Sequence, residues 1–235
     1  PLEDRPFCQW LEERLAKLPE VRKAVAAGSV RRRKETIGDI DILVISRKPG
    51  KVMDYFTHMP EVARVSARGE TKSSVKLSSG INVDMRVVPE ESYGAALNYF
   101  TGSKDHNVAL RQIAIKNGWK LNEYGLFASA DSRGLHADQR GNSQRKSALS
   151  QRRSALIAGR TEEELYRALG MDYIEPEMRE KTGEIKLAQK HQLPKPIGYD
   201  DIQGDLQVQT NWTDGNDSIE EMANAALKSG LKYIA

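Results

Sequence analysis

The chain has 235 residues, 39% of them hydrophobic and 29% charged, with 36 Lys and Arg against 33 Asp and Glu for a formal net charge of +3. No apolar run approaches the roughly 20 residues of a membrane span and no secretory signal is visible, so composition excludes a helical membrane protein. The single cysteine, Cys8, excludes an internal disulfide and reads as a buried side chain in a reducing, cytoplasmic setting.

In chain order, Phe7, Trp10, Leu11, Leu15 and Leu18 fall at helical spacing ahead of Pro19. They predict a helix from Pro6 to Leu18 with Trp10 in the core. Val21 to Ala27 reads as a strand running into Gly28-Ser29, and Ile37 to Ile45 as a second strand closed by Lys48-Pro49-Gly50. A helix from Lys51 to Met59 follows, then strands at Val62 to Ala67, Ser74 to Leu77 and Ile81 to Val88. These elements make an α/β (α+β) domain, a mixed sheet covered by helices.

From Ser92 the period turns helical, breaks at Thr101-Gly102 and resumes from a Ser103 cap to Gly118. Trp119 to Phe127 reads as strand and turn, and Thr161 to Glu164 as a capping box that starts a helix ending at Gly170. Between them, residues 131–154 are rich in Ser, Gln, Arg and Gly and read as a mobile basic loop, with a salt-sensitive DNA contact through Arg145, Lys146, Arg152 and Arg153 as the other reading.

The chemistry is carried by Gly38-Asp39-Ile40-Asp41. Strand alternation puts Asp39 and Asp41 on one face while Ile40, Ile42 and Val44 enter the core. Adjacent carboxylates repel unless a cation neutralises them, and hard oxygen ligands suit magnesium. A third carboxylate, Asp84, lies in a strand with Arg86 on the same face. If the two strands are neighbours, three acids converge on two ions about 3.5–4 Å apart, as two-metal phosphoryl transfer requires, with Asp84 as the general base. Upstream, Gly28 permits close backbone approach, Ser29 offers a hydroxyl, and the guanidinium forks of Arg31-Arg32-Arg33 match phosphate oxygens. Arg33 and Lys34 read as solvated.

Gly28-Ser29-Val30-Arg31-Arg32, Gly38-Asp39-Ile40-Asp41, Asp84-Met85-Arg86 and Tyr99-Phe100-Thr101-Gly102-Ser103 together resemble the signature of family X DNA polymerases. The likeness runs to about residue 180 through Asn107, Arg111 and Asn122-Glu123-Tyr124-Gly125. It implies a nucleotidyltransferase palm at 1–91 and a thumb at 92–180. The implied activity is a DNA polymerase that adds deoxynucleoside triphosphates to the primer of a primer-template or gapped DNA in repair, as a monomer.

The resemblance makes Asp39, Asp41 and Asp84 the ligands of two Mg2+ ions, with Mn2+ able to substitute. Gly28, Ser29, Arg32 and Gly38 then lie along the triphosphate, and Gly102 is a backbone contact near the nucleotide. Tyr99 and Phe100 lie against its sugar, with packing between the helices as the plainer reading of one ring. Asn107 reaches the base, and Arg111, Arg86 and Lys72 are DNA contacts. No helical amino-terminal DNA-gripping domain precedes the palm, and the chain reads as cut at both ends.

A linker, 181–202, leads to 203–235, where a strand Gly204 to Thr210 and a helix Ser218 to Ser229 resemble the start of a polymerase and histidinol phosphatase domain. Gln207 and Gln209 stand where that motif carries histidines, which implies no nuclease activity, and Trp212 reads as packing. Two alternatives stay open. A Gly-Ser turn with three acids also serves RNA-tailing and small-molecule nucleotidyltransferases, and a non-catalytic DNA-binding remnant would keep the basic segments.

Overall fold

The computed structural model describes residues 4–128, 155–198 and 201–235, so the basic loop lies outside the described residues. Helix α1 (Asp4–Ala16) precedes β1 (Val21–Ala26), the single turn α2 (Gly28–Arg31), β2 (Asp39–Ser46), α3 (Pro49–Thr57), β3 (Val62–Arg68), β4 (Lys72–Leu77) and β5 (Asn82–Val88). The five strands form one sheet in the order β1-β2-β5-β4-β3. Only β2 and β5 run parallel; the other pairs are antiparallel.

Period-two alternation sorts the two faces of the sheet. Ile40, Ile42, Val44, Val75, Val83, Met85 and Val87 point one way and form a core with Leu11 and Leu15 of α1 and Val52, Met53 and Phe56 of α3. Ile40 is fully buried, and truncating such a side chain to Ala costs about 2–5 kcal/mol. Trp10 departs from the sequence reading. It is 36% exposed, packed on Phe7 with the Arg14 guanidinium 4.8 Å from its ring, because the apolar stripe of α1 is filled by Leu11 and Leu15 on the neighbouring face.

On the other face Leu43 and Val88 pack against Ala96 and Leu97 of α4 (Tyr93–Thr101). The first amides of α4 are satisfied from the next layer: Gly94 N–H donates to the Arg160 carbonyl at 3.1 Å and Ala95 N–H to that of Gly159 at 3.0 Å. A Cβ at Gly94 would stand 2.2 Å from the Thr161 backbone, so only glycine permits this approach.

After the break at Gly102, α5 (Lys104–Lys116) starts from Ser103, whose side chain accepts the His106 amide. A hairpin of Trp119–Asn122 and Gly125–Ala128 pairs with Leu156–Ala158. The helix Glu162–Ala168 is capped by Thr161. This half has its own core around Leu110, Leu126, Leu165, Tyr166 and Ile174. The expected linker begins later than 181, because Glu184–Gln189 is helical and buries Glu184 and Ala188.

The chain divides into units 1–193 and 194–235. In the second, only Gly204–Asp205 of the predicted strand is extended, paired in parallel with Tyr233–Ile234. The helix Ile219–Lys228 carries a full capping box between Ser218 and Glu221. Trp212 is 83% exposed, not packed. Among the described residues no helix is long and apolar enough to cross a membrane.

Candidate active site

The parallel pairing of β2 with β5 sets Asp41 directly opposite Asp84 and Asp39 opposite Asn82. All three carboxylates therefore lie on the face away from the α1 and α3 core, at the end where both strands begin. Asp41 is the most buried of them. Burial, then the charge of Asp39, then that of Asp84 push its carboxyl up to about 6. Asp84 goes the other way: burial would raise it, but hydrogen bonds from Lys72 and Ser74 prevail and hold it below the usual carboxylate range. Lys72 Nζ lies 2.8 Å from Asp84 Oδ2, so this lysine, predicted as a DNA contact, is committed to the acid across the β4–β5 pair.

The turn after β1 brings the phosphate-type elements against these acids. Ala27 N–H donates to the Asp41 carbonyl at 2.8 Å, and Gly28 follows at φ +60. Arg31 and Arg32, read from sequence as phosphate forks, have protein partners. Arg31 grips both Glu162 oxygens at 2.9 and 2.6 Å and Thr101 Oγ1 at 2.7 Å. Arg32 donates through Nε to Glu180 at 2.8 Å and through Nη1 to the Thr101 carbonyl. Arg33 and Lys34 are exposed, as the sequence reading has them, and make surface ion pairs, Arg33 with Glu177 at 2.9 Å and Lys34 with Glu180 at 3.5 Å. Acids that follow in the 162–180 segment draw this basic turn inward.

A cavity of about 340 Å³ opens here, with Gly28, Ser29, Arg32, Asp39 and Asp41 on one side and Tyr99 to Gly102, Lys104, Asn107 and Arg111 on the other. Asp84, Lys72, Arg86 and Gly38 are not on its wall. Arg86 stacks instead on Phe100, 4.6 Å from the ring centroid, while Tyr99 and Phe100 meet edge-on at 5.1 Å. Both plainer packing contacts and cavity lining thus apply to the aromatic pair. Asn107 gives one amide proton to the Tyr99 carbonyl at 2.7 Å, and its buried Oδ1 has no partner among the described residues. Arg111 donates to the Asn107 carbonyl at 3.3 Å. Lys104 and Thr101 were not singled out from the sequence; the helix break that exposes the Lys104 side chain was the available signal.

The donor set is all hard oxygen and Asp41 is short of compensating positive charge, which fits a divalent cation. Among the described residues, however, no group of three or more His, Cys, Asp or Glu is gathered closely enough to hold a metal ion; Asp84 turns to Lys72.

Acids at the start of two parallel neighbours, a glycine turn against them and a broken helix across the cleft define the class: a polymerase beta-like nucleotidyltransferase fold. Residues 96–180 match the family described as DNA polymerase beta thumb. The chain is 34% identical over 227 residues to the DNA polymerase/3'-5' exonuclease PolX of Bacillus subtilis (strain 168), covering 96% of this chain and 36% of that one. It is 27% identical over 184 residues to DNA polymerase lambda of Rattus norvegicus, covering 66% and 28%. The ternary gap complex of Leishmania infantum polymerase beta matches its fold with a TM-score of 0.60 at 24% identity, over 76% of this chain and 69% of that one. The chain belongs to the family X DNA polymerases, whose members are metal-dependent. It spans about a third of the length of the two curated relatives named here.

Proposed function

We propose that this chain is the palm and thumb of a DNA polymerase that adds deoxynucleotides to a primer 3′ end in gap-filling repair. The observation that carries the reading is the β2–β5 register, which aligns Asp41 with Asp84 beside a cavity walled by Gly28, Ser29 and the α4–α5 break. Asp39, Asp41 and Asp84 would hold Mg2+, with Mn2+ able to substitute, once Asp84 exchanges its ion pair with Lys72 for the cation. When bound, the two ions neutralise the charge that develops on the attacking and leaving oxygens.

The chain's own residues do the rest. Ser29 and the amides of the Gly28 turn receive the triphosphate, with Arg32 at the cavity wall supplying positive charge. Tyr99 and Phe100 flank the sugar. Asn107 keeps a second amide proton for a minor-groove acceptor of the base. Asp84, ionised, takes the proton of the primer 3′ hydroxyl; that oxygen bonds to the α-phosphorus and the bond to pyrophosphate breaks.

Residues 204–235 are assigned no metal-dependent nuclease chemistry, because Gln207 and Gln209 are neutral amides and poor transition-metal ligands.

Primer extension on gapped DNA with Asp84→Asn tests the reading. Extension should fall by several orders of magnitude with the fold intact; undiminished extension by this variant, or incorporation of ribonucleotides only, would reject it.

A further inference from the structure

The sheet face that carries the acids continues beyond them. Across the strands, Asp39 is opposite Asn82, Asn82 is opposite Lys76, and Lys76 is opposite Arg64 on the edge strand β3. Residues directly opposite in a sheet share a face, so one row runs from the first carboxylate to the sheet edge as Asp39, Asn82, Lys76, Arg64. All four are exposed.

Lys76 and Arg64 are like charges directly opposite one another, an arrangement that destabilises a strand pair. Neither makes an ion pair among the described residues, although Arg68 on the other face of β3 is paired with Asp54. Basic residues on an edge strand also discourage edge-to-edge aggregation, but that role accounts only for Arg64. Lys76 sits on β4, an interior strand, where the apolar neighbours Val75 and Leu77 already fill the core side. Two unneutralised cations side by side, open to solvent and in register with the acids, have the form of a phosphate track.

We propose that Lys76 and Arg64 bind the sugar-phosphate backbone of the primer strand, upstream of its 3′ end. The inference rests on the polymerase reading above: a primer whose 3′ hydroxyl meets Asp84 and that runs back across the sheet beside the acids passes Lys76 and then Arg64. At about 4.8 Å per strand, Arg64 lies roughly 14 Å from Asp39, about four nucleotide steps at 3.4 Å each.

The test compares wild type, the double variant Lys76→Gln/Arg64→Gln, and a control of equal charge change on the helix-covered side, Lys17→Gln/Lys51→Gln. Binding to a primer-template duplex is measured against salt concentration. The slope of log affinity against log salt should shrink by about 1.8 in the double variant, 0.9 for each phosphate no longer neutralised, and hold in the control. Extension at saturating DNA and nucleotide should be unchanged. Neutral methylphosphonate linkages about four nucleotides from the primer end should abolish the difference between wild type and double variant.

If the double variant keeps the slope of the control while wild type binds and extends the primer, the track is wrong and the polymerase reading stands. If neutral linkages in the template strand abolish the difference instead, the assignment to the primer is wrong. A wild type that neither binds nor extends the duplex overturns the polymerase reading and the track together.

Discussion

A Cβ at Gly28 would stand 2.4 Å from Oδ2 of Asp41, which lies against the bare Cα of the glycine turn. Two requirements coincide at this position, since Gly28 also has φ +60, a conformation that side chains disfavour. Gly28→Ala is therefore expected to displace the Asp41 carboxylate while the sheet survives. Misplacement of a catalytic group by about 1 Å can cost 10²-fold, and a loss of that order in single-turnover extension, with the far-ultraviolet circular dichroism unchanged, is the expected outcome.

On the proposed reading, Lys72 and a cation compete for Asp84. With the ammonium 2.8 Å from Oδ2, metal binding must displace an ion pair. Lys72→Ala should lower the magnesium concentration that gives half-maximal extension. Were Lys72 chiefly a DNA contact, the magnesium requirement would hold and the salt slope of DNA binding would shrink instead.

Glu162 is only 4% exposed and receives Arg31 at 2.6 Å and Arg179 at 2.6 Å. Replacing it with Gln leaves two buried or half-buried cations undercompensated, and breaking such a pair costs about 3–5 kcal/mol. Urea denaturation of Glu162→Gln should show a loss of that size.

Stability should also fall in acid in two stages. Burial first, then the Arg179 charge, hold His106 below its ordinary 6.5 despite the opposing hydrogen bond to Glu184. Burial opposes the shift at Glu162, but the hydrogen bond from Arg31 and the nearby Arg179 charge outweigh it, so that group titrates below 4.5. Both groups are depressed in the folded chain, so their contributions are present above the unfolded values and are lost as pH falls through the folded ones. Urea midpoints measured from pH 8 downward should decline below about 6.5 and again below about 4.5. His106→Gln should flatten the first decline and leave the second.

The sheet and its acids were legible because strand alternation is local. Ile40, Ile42 and Val44 alternate with Asp39, Asp41 and Leu43, and that pattern fixes which side each takes once one face is buried. The neighbouring of β2 and β5 was conditional in the sequence, and the parallel register supplied it. What stayed hidden depends on partners distant in the chain. Nothing near Arg31 announces Glu162, and nothing near Arg32 announces Glu180, so two guanidinium groups that read as phosphate ligands turn out to be largely spoken for. Trp10 was misread because helical spacing gives a stripe but not its width. Gln207 and Gln209 fell in a predicted strand of which, among the described residues, only Gly204–Asp205 forms a ladder, with Tyr233–Ile234.

The grip of Arg31 on Glu162 has a kinematic consequence. It ties the turn that opens onto the acids to the helix Glu162–Ala168, while the amides of α4 hang from carbonyls of residues 159 and 160. Swinging the two halves of this unit apart would strand buried charge, so the turn at Gly28 and the helix Glu162–Ala168 move as one piece and the floor of the cleft stays rigid.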